Sequence, residues 1–323
     1  MNQTFRIALL TWLSLVLPLM TRTTSHAETL TIGSYNGRNF YDVFDDPYTE
    51  DEATPVKPRV EIEQVAAALR AMDADIVVLQ EVENEPVLRA MLQEFWPDSG
   101  YRFIACGDTN SGRGMRQGVL SRYPIIEMRS TRFVPLTHPD APGRSWRFAR
   151  DLTRATIATA DGQTIEVFAV HLKSNRDGPD DPDSRLYRTA EAMAIKRMIR
   201  AELEADPELL AVVAGDFNSN YETRPEQPRP WPAMAHLLAD DPVTRSALLV
   251  DLHRELSAAD RVTIPPSEHF PAATFDYILA TPAMAERCVP GSARVHPLPE
   301  PLSGSDHFPV SASFELSKQP DGR

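Results

Sequence analysis

Only two cysteines, Cys106 and Cys288, occur in the whole chain of 323 residues. Two distant thiols exclude a disulfide scaffold and a cysteine-built zinc site, and leave at most one bond between them. Positive charge is also short, with 33 lysines and arginines against 46 acidic residues and a formal charge of -13. So acidic a chain cannot coat nucleic acid by bulk electrostatics. Any polyanionic substrate would need a locally basic groove or a bound cation. No apolar run after the first 27 residues is long enough to span a bilayer. Internal repeats and long flexible linkers are absent, which excludes solenoids and tandem modules. No serine or cysteine sits in a nucleophile motif, so water is the expected nucleophile of any hydrolysis.

At the N-terminus, Arg6 precedes an apolar run from Ile7 to Met20, and a polar stretch then ends in Ser25-His26-Ala27. This pattern predicts a signal peptide over residues 1–27, cleaved after Ala27. The run is shorter than the ~20 residues of a spanning helix. The expectation is therefore export, to the periplasm or beyond, with no stable membrane insertion after cleavage. Cleavage removes Arg6 and Arg22 and no acid, which brings the charge from -13 to -15. An oxidising compartment would permit a Cys106–Cys288 bond, and a pair is the expectation. Residues 28–317 are predicted to form one domain, with 318–323 a disordered tail and the whole a monomer.

Strands and helices alternate along that domain. "TLTIGSY" (29–35) and "DIVVLQEV" (75–82) are predicted strands, and Ile62, Val65, Ala66, Leu69 and Met72 recur at helical spacing over 59–72. Asn84 is placed to cap a helix that carries Val87, Leu88, Met91, Leu92 and Phe95. Further strands are predicted at 101–106, 117–121, 151–158, 164–170, 209–214, 275–280 and 309–316, and helices at 186–205 and 232–239. Asp161-Gly162 marks a tight hairpin turn between 151–158 and 164–170. The prolines cluster between elements, as chain breakers should. Hairpins interspersed with helices imply β-layers sandwiched by helices.

The strand ends gather polar residues. The first strand ends on Asn36 and the second on Gln80-Glu81. "FAV" ends on His171, followed by Leu172-Lys173-Ser174. "LLAVVAG" (209–215) runs into Asp216-Phe217-Asn218, "TFDYILA" begins with Asp276, and Ser305-Asp306-His307 precedes the last strand. One such case is an Asx turn; six suggest a site at one edge of the sheets. Carboxylates and carboxamides with two histidines and no thiol suit hard cations, Mg²⁺ first, with Mn²⁺ or Ca²⁺ as alternatives. Such a cation would also let an acidic protein hold a phosphate.

These blocks resemble the endonuclease/exonuclease/phosphatase superfamily, which includes pancreatic-type deoxyribonuclease. The resemblance rests on "SYNGRNFYD" (34–42), "DIVVLQEVEN" (75–84), "QGVLSRYPI" (117–125), "FAVHLKSNRDG" (168–178), "VVAGDFNSN" (212–220), "FDYILAT" (275–281) and "GSDHFPV" (304–310), in that order. It implies an α/β fold, a four-layered α/β/β/α sandwich of two mixed β-sheets packed face to face. It also implies a Mg²⁺-dependent phosphodiesterase with nucleic acid as substrate. By position, Asn36, Glu81 and Asp306 would form the metal site, with Glu81 the principal ligand. Asp216 would hold or deprotonate the attacking water, and Asn218 would bind a phosphate oxygen. His171 would donate to the phosphate, and Asp276 would orient His307. Whether His307 or Asp216 is the base stays open at this level. Relatives of the same fold act on inositol phosphates or sphingomyelin-type lipids, and a non-catalytic binding protein is a third alternative.

The first block departs from the Asn-Val-Glu-Asn of many exported bacterial relatives by reading Asn36-Gly37-Arg38-Asn39. Arg38 could touch substrate phosphate or be a solvated loop residue. Lys173 and Arg176 could contact phosphate, as could Arg116 with Arg113 in the glycine-rich "SGRGMRQ". His138, His236, His253, His269 and His296 have no comparable context and read as structural or exposed. "GRSWRFARDLTR" interleaves Arg144, Arg147, Arg150 and Arg154 with Trp146 and Phe148. It could wall a nucleic-acid groove with stacking aromatics, or be an edge strand whose aromatics face the core.

Overall fold

The computed structural model describes residues 28–176, 179–221, 231–268, 270–298 and 304–316. The predicted signal peptide, the C-terminal tail and His269 lie outside them. The first half of the chain runs β1 (Glu28–Phe40), α1 (Arg59–Met72), β2 (Ile76–Val82), α2 (Glu85–Phe95), β3 (Phe103–Cys106), β4 (Arg116–Ser121) and β5 (Ile125–Arg129). The second half runs β6 (Leu152–Ala158), β7 (Thr164–His171), α3 (Arg185–Ala205), β8 (Ala211–Asp216), α4 (Pro232–Leu238), β9 (Val250–Asp251), β10 (Asp276–Ala280), α5 (Pro282–Ala285), β11 (Arg294–Val295) and β12 (Val310–Leu316).

These strands form two six-stranded mixed sheets, ordered β11-β12-β1-β2-β4-β3 and β5-β6-β7-β8-β10-β9. Each is built around one parallel pair, β1 with β2 and β7 with β8, and the other pairings are antiparallel. The central strands are continuous apolar runs because both of their faces are covered. Alternation then sorts the residues. Ile76 and Val78 of β2 join Val167 and Ala169 of β7 and Val212 and Ala214 of β8 in a core between the sheets. Val77 and Leu79 instead face α1 and α2, while Phe168, Val170 and Val213 face α3 and α4. The result is the α/β/β/α sandwich expected from the sequence.

Local signals held well where they were strong. The α1 stripe of Val65, Ala66, Leu69 and Met72 is buried, and the Asn84 side chain caps α2 by accepting from Val87 N at 2.9 Å. The strands missed by periodicity are the short edge pieces β5, β9 and β11, where one face is exposed or only two residues pair. The predicted tight turn at Asp161-Gly162 is a five-residue loop. Ala158 pairs with Thr164, Thr159 N donates to Gln163 O, and Gly162 takes the left-handed conformation at φ 83°. The expected Cys106–Cys288 bond is not formed, and both thiols are free. Cys106 ends β3 at one edge of the first sheet. Cys288 bridges to Phe314 of β12, on the far side of β1, β2 and β4. Strand spacing puts about 19 Å between those two strands, far beyond disulfide reach.

Candidate active site

The parallel pairs bring their C-terminal ends to a common edge. In the second sheet, register alone aligns three polar residues, because His171 is opposite Asp216 and Asp216 is opposite Asp276. In the first sheet Asn36 is opposite Gln80, one residue before Glu81. The loop leading into β12, which is antiparallel to β1, delivers Ser305, Asp306 and His307 to the same edge.

Asp216 is the hub. Its Oδ1 accepts the Asn218 backbone N–H at 2.7 Å, which is an Asx turn. Its Oδ2 accepts from Asn36 Nδ2 at 3.1 Å and Asn218 Nδ2 at 3.2 Å. The same oxygen lies 3.4 Å from His171 Nε2 and 3.8 Å from His307 Nε2. The turn reading of "GDFN" thus holds at Oδ1, while Oδ2 faces the other polar residues of the edge. Asn218, at φ 47°, also donates Nδ2 to Leu172 O at 3.1 Å. Gly215 is required before this turn. At φ 149°, a Cβ here would stand 1.9 Å from Val170 O.

The two histidines differ in charge. His171 is 2 % exposed. Burial, then the charges of Arg150, His307 and Arg113, hold its pKa well below the ordinary value, so it is a neutral donor or acceptor. His307 Nδ1 lies 2.8 Å from Asp276 Oδ2. Burial works against its cationic form. Asp276, Asp216 and Asp306 together outweigh that penalty and raise the pKa to about 10. For Asp216 burial dominates and lifts the pKa to about 7, against the pull of His307. Thr263 Oγ1 accepts the backbone N–H of Asp276 at 3.1 Å, and Asp276 Oδ1 is buried without a hydrogen-bond partner.

Glu81 reaches the edge through distortion of the chain. It has φ 62°, and β2 slips register against β4 between Leu79 and Val82. The bulge turns its carboxylate toward Asn39 N, at 2.8 Å, and Asn36 Nδ2, at 3.4 Å. The Asn36 Oδ1 accepts from Arg38 N at 2.9 Å. Asp306 is half-exposed and faces Arg38, whose Nε is 3.8 Å away. Of the proposed metal residues, Asn36 therefore stands beside the partly accessible carboxylate of Glu81, while Asp306 is placed by its pairing with Arg38. That arrangement fits a hard cation held by one or two carboxylates and retaining several waters, and it does not fit a closed cage. A tighter acidic group, Asp45, Asp51 and Glu52, lies in the loop after β1, with ligand atoms within 4.8 Å of one another. Its buried member, Asp51, already accepts Asp46 N and Glu52 N and closes the loop.

Two candidate substrate contacts are engaged elsewhere. Arg116 donates to Glu83 O and to Gly114 O and pairs with Asp46 at 3.5 Å. The Lys173 ammonium donates to Arg176 O. Four residues missed in the sequence support the site. Ser305 Oγ donates to Asn36 O at 2.6 Å and accepts His307 N at 3.1 Å. Lys57, buried, donates to Arg38 O at 2.8 Å and Gly304 O at 2.6 Å, tying the two first-sheet loops together. Arg150 donates to Leu172 O at 3.1 Å, and Glu191 of α3 accepts Lys173 N at 2.8 Å. Ser305 was legible inside its block. Arg150 stood in "GRSWRFARDLTR", read there as a groove wall or an edge strand and not as a support of this site, while no local pattern marks Lys57 or Glu191.

The chain belongs to the endonuclease/exonuclease/phosphatase family, whose model matches residues 33–307. No curated protein matches it. Among solved structures it is similar to an endonuclease/exonuclease/phosphatase from Beutenbergia cavernae, at 23% identity over 89% of this chain and 72% of that one, TM-score 0.57. A Bacteroides vulgatus member is 19% identical over 90% of this chain and 100% of that one, TM-score 0.58. D. rerio TDP2, solved with a single-strand DNA product, is 17% identical over 89% and 99%, TM-score 0.54. At these identities the structural likeness speaks to the fold.

Proposed function

We propose that this protein is an exported, divalent-metal-dependent phosphodiesterase that hydrolyses nucleic-acid phosphodiester bonds by in-line attack of water. The observation that carries the reading is the convergence of Asn36, His171 and His307 within 3.8 Å of one oxygen of Asp216, beside Glu81. Glu81 would hold the cation, with Asn36 beside it and Asp306 at the rim. When bound, the cation would polarise a phosphoryl oxygen and offset the negative charge of the substrate.

The protein groups account for the rest. At neutral pH the Asp276 carboxylate keeps His307 protonated, so His307 is poorly placed to act as the base. Asp216, with a pKa near 7, is matched to take the proton of the attacking water. Its Oδ1 bond to Asn218 N fixes the carboxylate plane and sets Oδ2 among Asn36, His171 and His307, where that water would meet it. The His307 imidazolium and the neutral His171 point Nε2 toward the same place, where negative charge develops on the phosphoryl oxygens. A TDP2 structure holding a single-strand DNA product, on the same fold, supports nucleic acid as substrate. A lipid substrate would call for an exposed apolar loop. The stretch "HFPAATF" (269–275) could supply one; it begins outside the described residues, and its Phe270 packs on Phe275, with ring centroids 5.7 Å apart.

The test incubates purified protein with plasmid DNA, single-stranded RNA and bis-p-nitrophenyl phosphate, with Mg²⁺ or EDTA, beside Asp216→Ala and His307→Ala. Metal-dependent loss of polymer, absent in both variants, is the expected result. Turnover of the small diester alone would move the substrate to another phosphoester. Turnover in EDTA would refute the metal-dependent mechanism.

A further inference from the structure

We propose that the surface formed by Arg132, Phe133 and Arg147 receives single-stranded nucleic acid, with Phe133 stacking on an unpaired base, Arg147 meeting a flanking phosphate, and Arg132, held by Asp108 and Thr109 O, packed against the ring. The proposal rests on the phosphodiesterase reading above and specifies how an acidic protein would hold such a polymer. Residues 129–154 contain six arginines and two aspartates, a local excess of four positive charges in a chain of -13. Of the six, Arg129, Arg132 and Arg154 pair with Glu127, Asp108 and Glu166 and Arg150 is buried, which leaves Arg144 and Arg147 as the cations this surface offers.

At its tip Phe133 is 64 % exposed. The Arg132 guanidinium stands 4.5 Å and that of Arg147 5.4 Å from the ring centroid. A single exposed phenylalanine is unremarkable. An exposed ring bracketed by guanidinium groups is the combination that binds unpaired bases and their backbone together. The surface is also braced. Asn110 Nδ2 donates to Arg132 O at 2.7 Å and to Phe148 O at 2.9 Å, joining the two segments. Tyr187 donates its hydroxyl to Arg147 O at 2.8 Å while stacking on Trp146. Trp146 and the buried Phe148 therefore serve as supports, and Phe133 is left as the presented ring. Asp108 pairs with Arg132 at 2.7 Å and orients it.

The surface runs toward the site. Arg150, three residues beyond Arg147, is bonded to the carbonyl of Leu172, which follows His171. Three residues of extended chain reach at most about 11 Å. On this proposal a strand leaving the scissile phosphate passes Arg150 and Arg147 before it meets Phe133. A duplex would keep its bases stacked on each other and out of contact with this ring.

The experiment measures binding of a fluorescein-labelled single-stranded oligonucleotide by anisotropy in EDTA, where cleavage is not required. It compares the wild type with Phe133→Ala, Phe133→Trp and Arg147→Gln. Phe133→Ala is expected to weaken binding about tenfold or more and Phe133→Trp to restore it. Arg147→Gln should lower the slope of log affinity against log salt by about 0.7. Equal affinity of the wild type and Phe133→Ala, or tighter binding of duplex than of single strand, would overturn the proposal. In Mg²⁺ the ratio of oligonucleotide to bis-p-nitrophenyl phosphate efficiency should fall about tenfold in Phe133→Ala. An anisotropy difference without turnover of either substrate would overturn the enzymatic reading and leave the binding surface standing.

Discussion

His171, Asp216 and Asp276 lie side by side on β7, β8 and β10, in register, and each is at most 2 % exposed. Asn36 and Glu81, across the sandwich, are held in another way. Arg38, Asn39 and Glu81 all have positive φ, and β1 and β2 both slip register there. The second sheet thus places its residues by regular pairing, with no backbone freedom left over. The first places its residues by bulges that cost about 1–3 kcal/mol each and are held by Lys57, Ser305 and the Asn39 N–H. The regular half orients the proton-handling groups. The bulged half leaves a carboxylate partly open, as a hydrated cation and an entering phosphate require.

The sharpest way to break this comparison is to remove the hub. Asp216→Asn keeps the shape of the regular half and removes its base, so kcat should fall by about three orders of magnitude in steady-state assays with Mg²⁺. A fall of less than tenfold would transfer the base role to another group. Glu81→Gln should lower kcat/KM by about a hundredfold or more. Cation binding by calorimetry should be lost together with it. Retained cation affinity would point instead to the Asp45, Asp51, Glu52 loop.

Gly215→Ala tests the register. The added Cβ would collide with Val170 O, so the variant should lose about 2–3 kcal/mol in urea unfolding. Asp276→Asn tests the charge of the regular half. The folded-state pKa of His307, about 10, exceeds its ordinary 6.5, so the folded protein holds this proton more tightly than the unfolded chain. The stability gained is complete below about pH 6.5 and is lost as the pH rises through about 10. In EDTA, the thermal midpoint of the wild type should fall across that window, and Asp276→Asn should flatten the fall. Smallest of all, Cys288→Ala should shift stability by less than about 1 kcal/mol, and in the wild type both thiols should be alkylated after unfolding without reductant.

Much of the site was legible because each of its residues ends or begins an apolar strand, and a polar residue there has a short list of uses. Asn36, Glu81, His171, Asp216, Asn218, Asp276 and His307 all came from that pattern and from the order of the blocks. Lys173 came from the same blocks, and Arg116 from the glycine-rich "SGRGMRQ", as candidate phosphate contacts. Here their cationic groups are spent on backbone carbonyls, which sequence spacing does not reveal. Lys57 and Glu191 are charged residues that in sequence look like solvated surface, and Arg150 looked like part of a groove wall or an edge strand.

Alternation and run length in the sequence determined by themselves which strands are buried on both faces, where α1 and α2 bury their stripes, and which residues stand at strand ends. Those are local properties, set by side-chain periodicity and backbone propensity. Tertiary structure alone decided that two strand edges would meet, that Glu81 would turn out of its strand, and that His307 would be charged while His171 is neutral. Each of these depends on burial and on charges brought from distant parts of the chain. The same holds for the thiols, which four strand spacings keep apart.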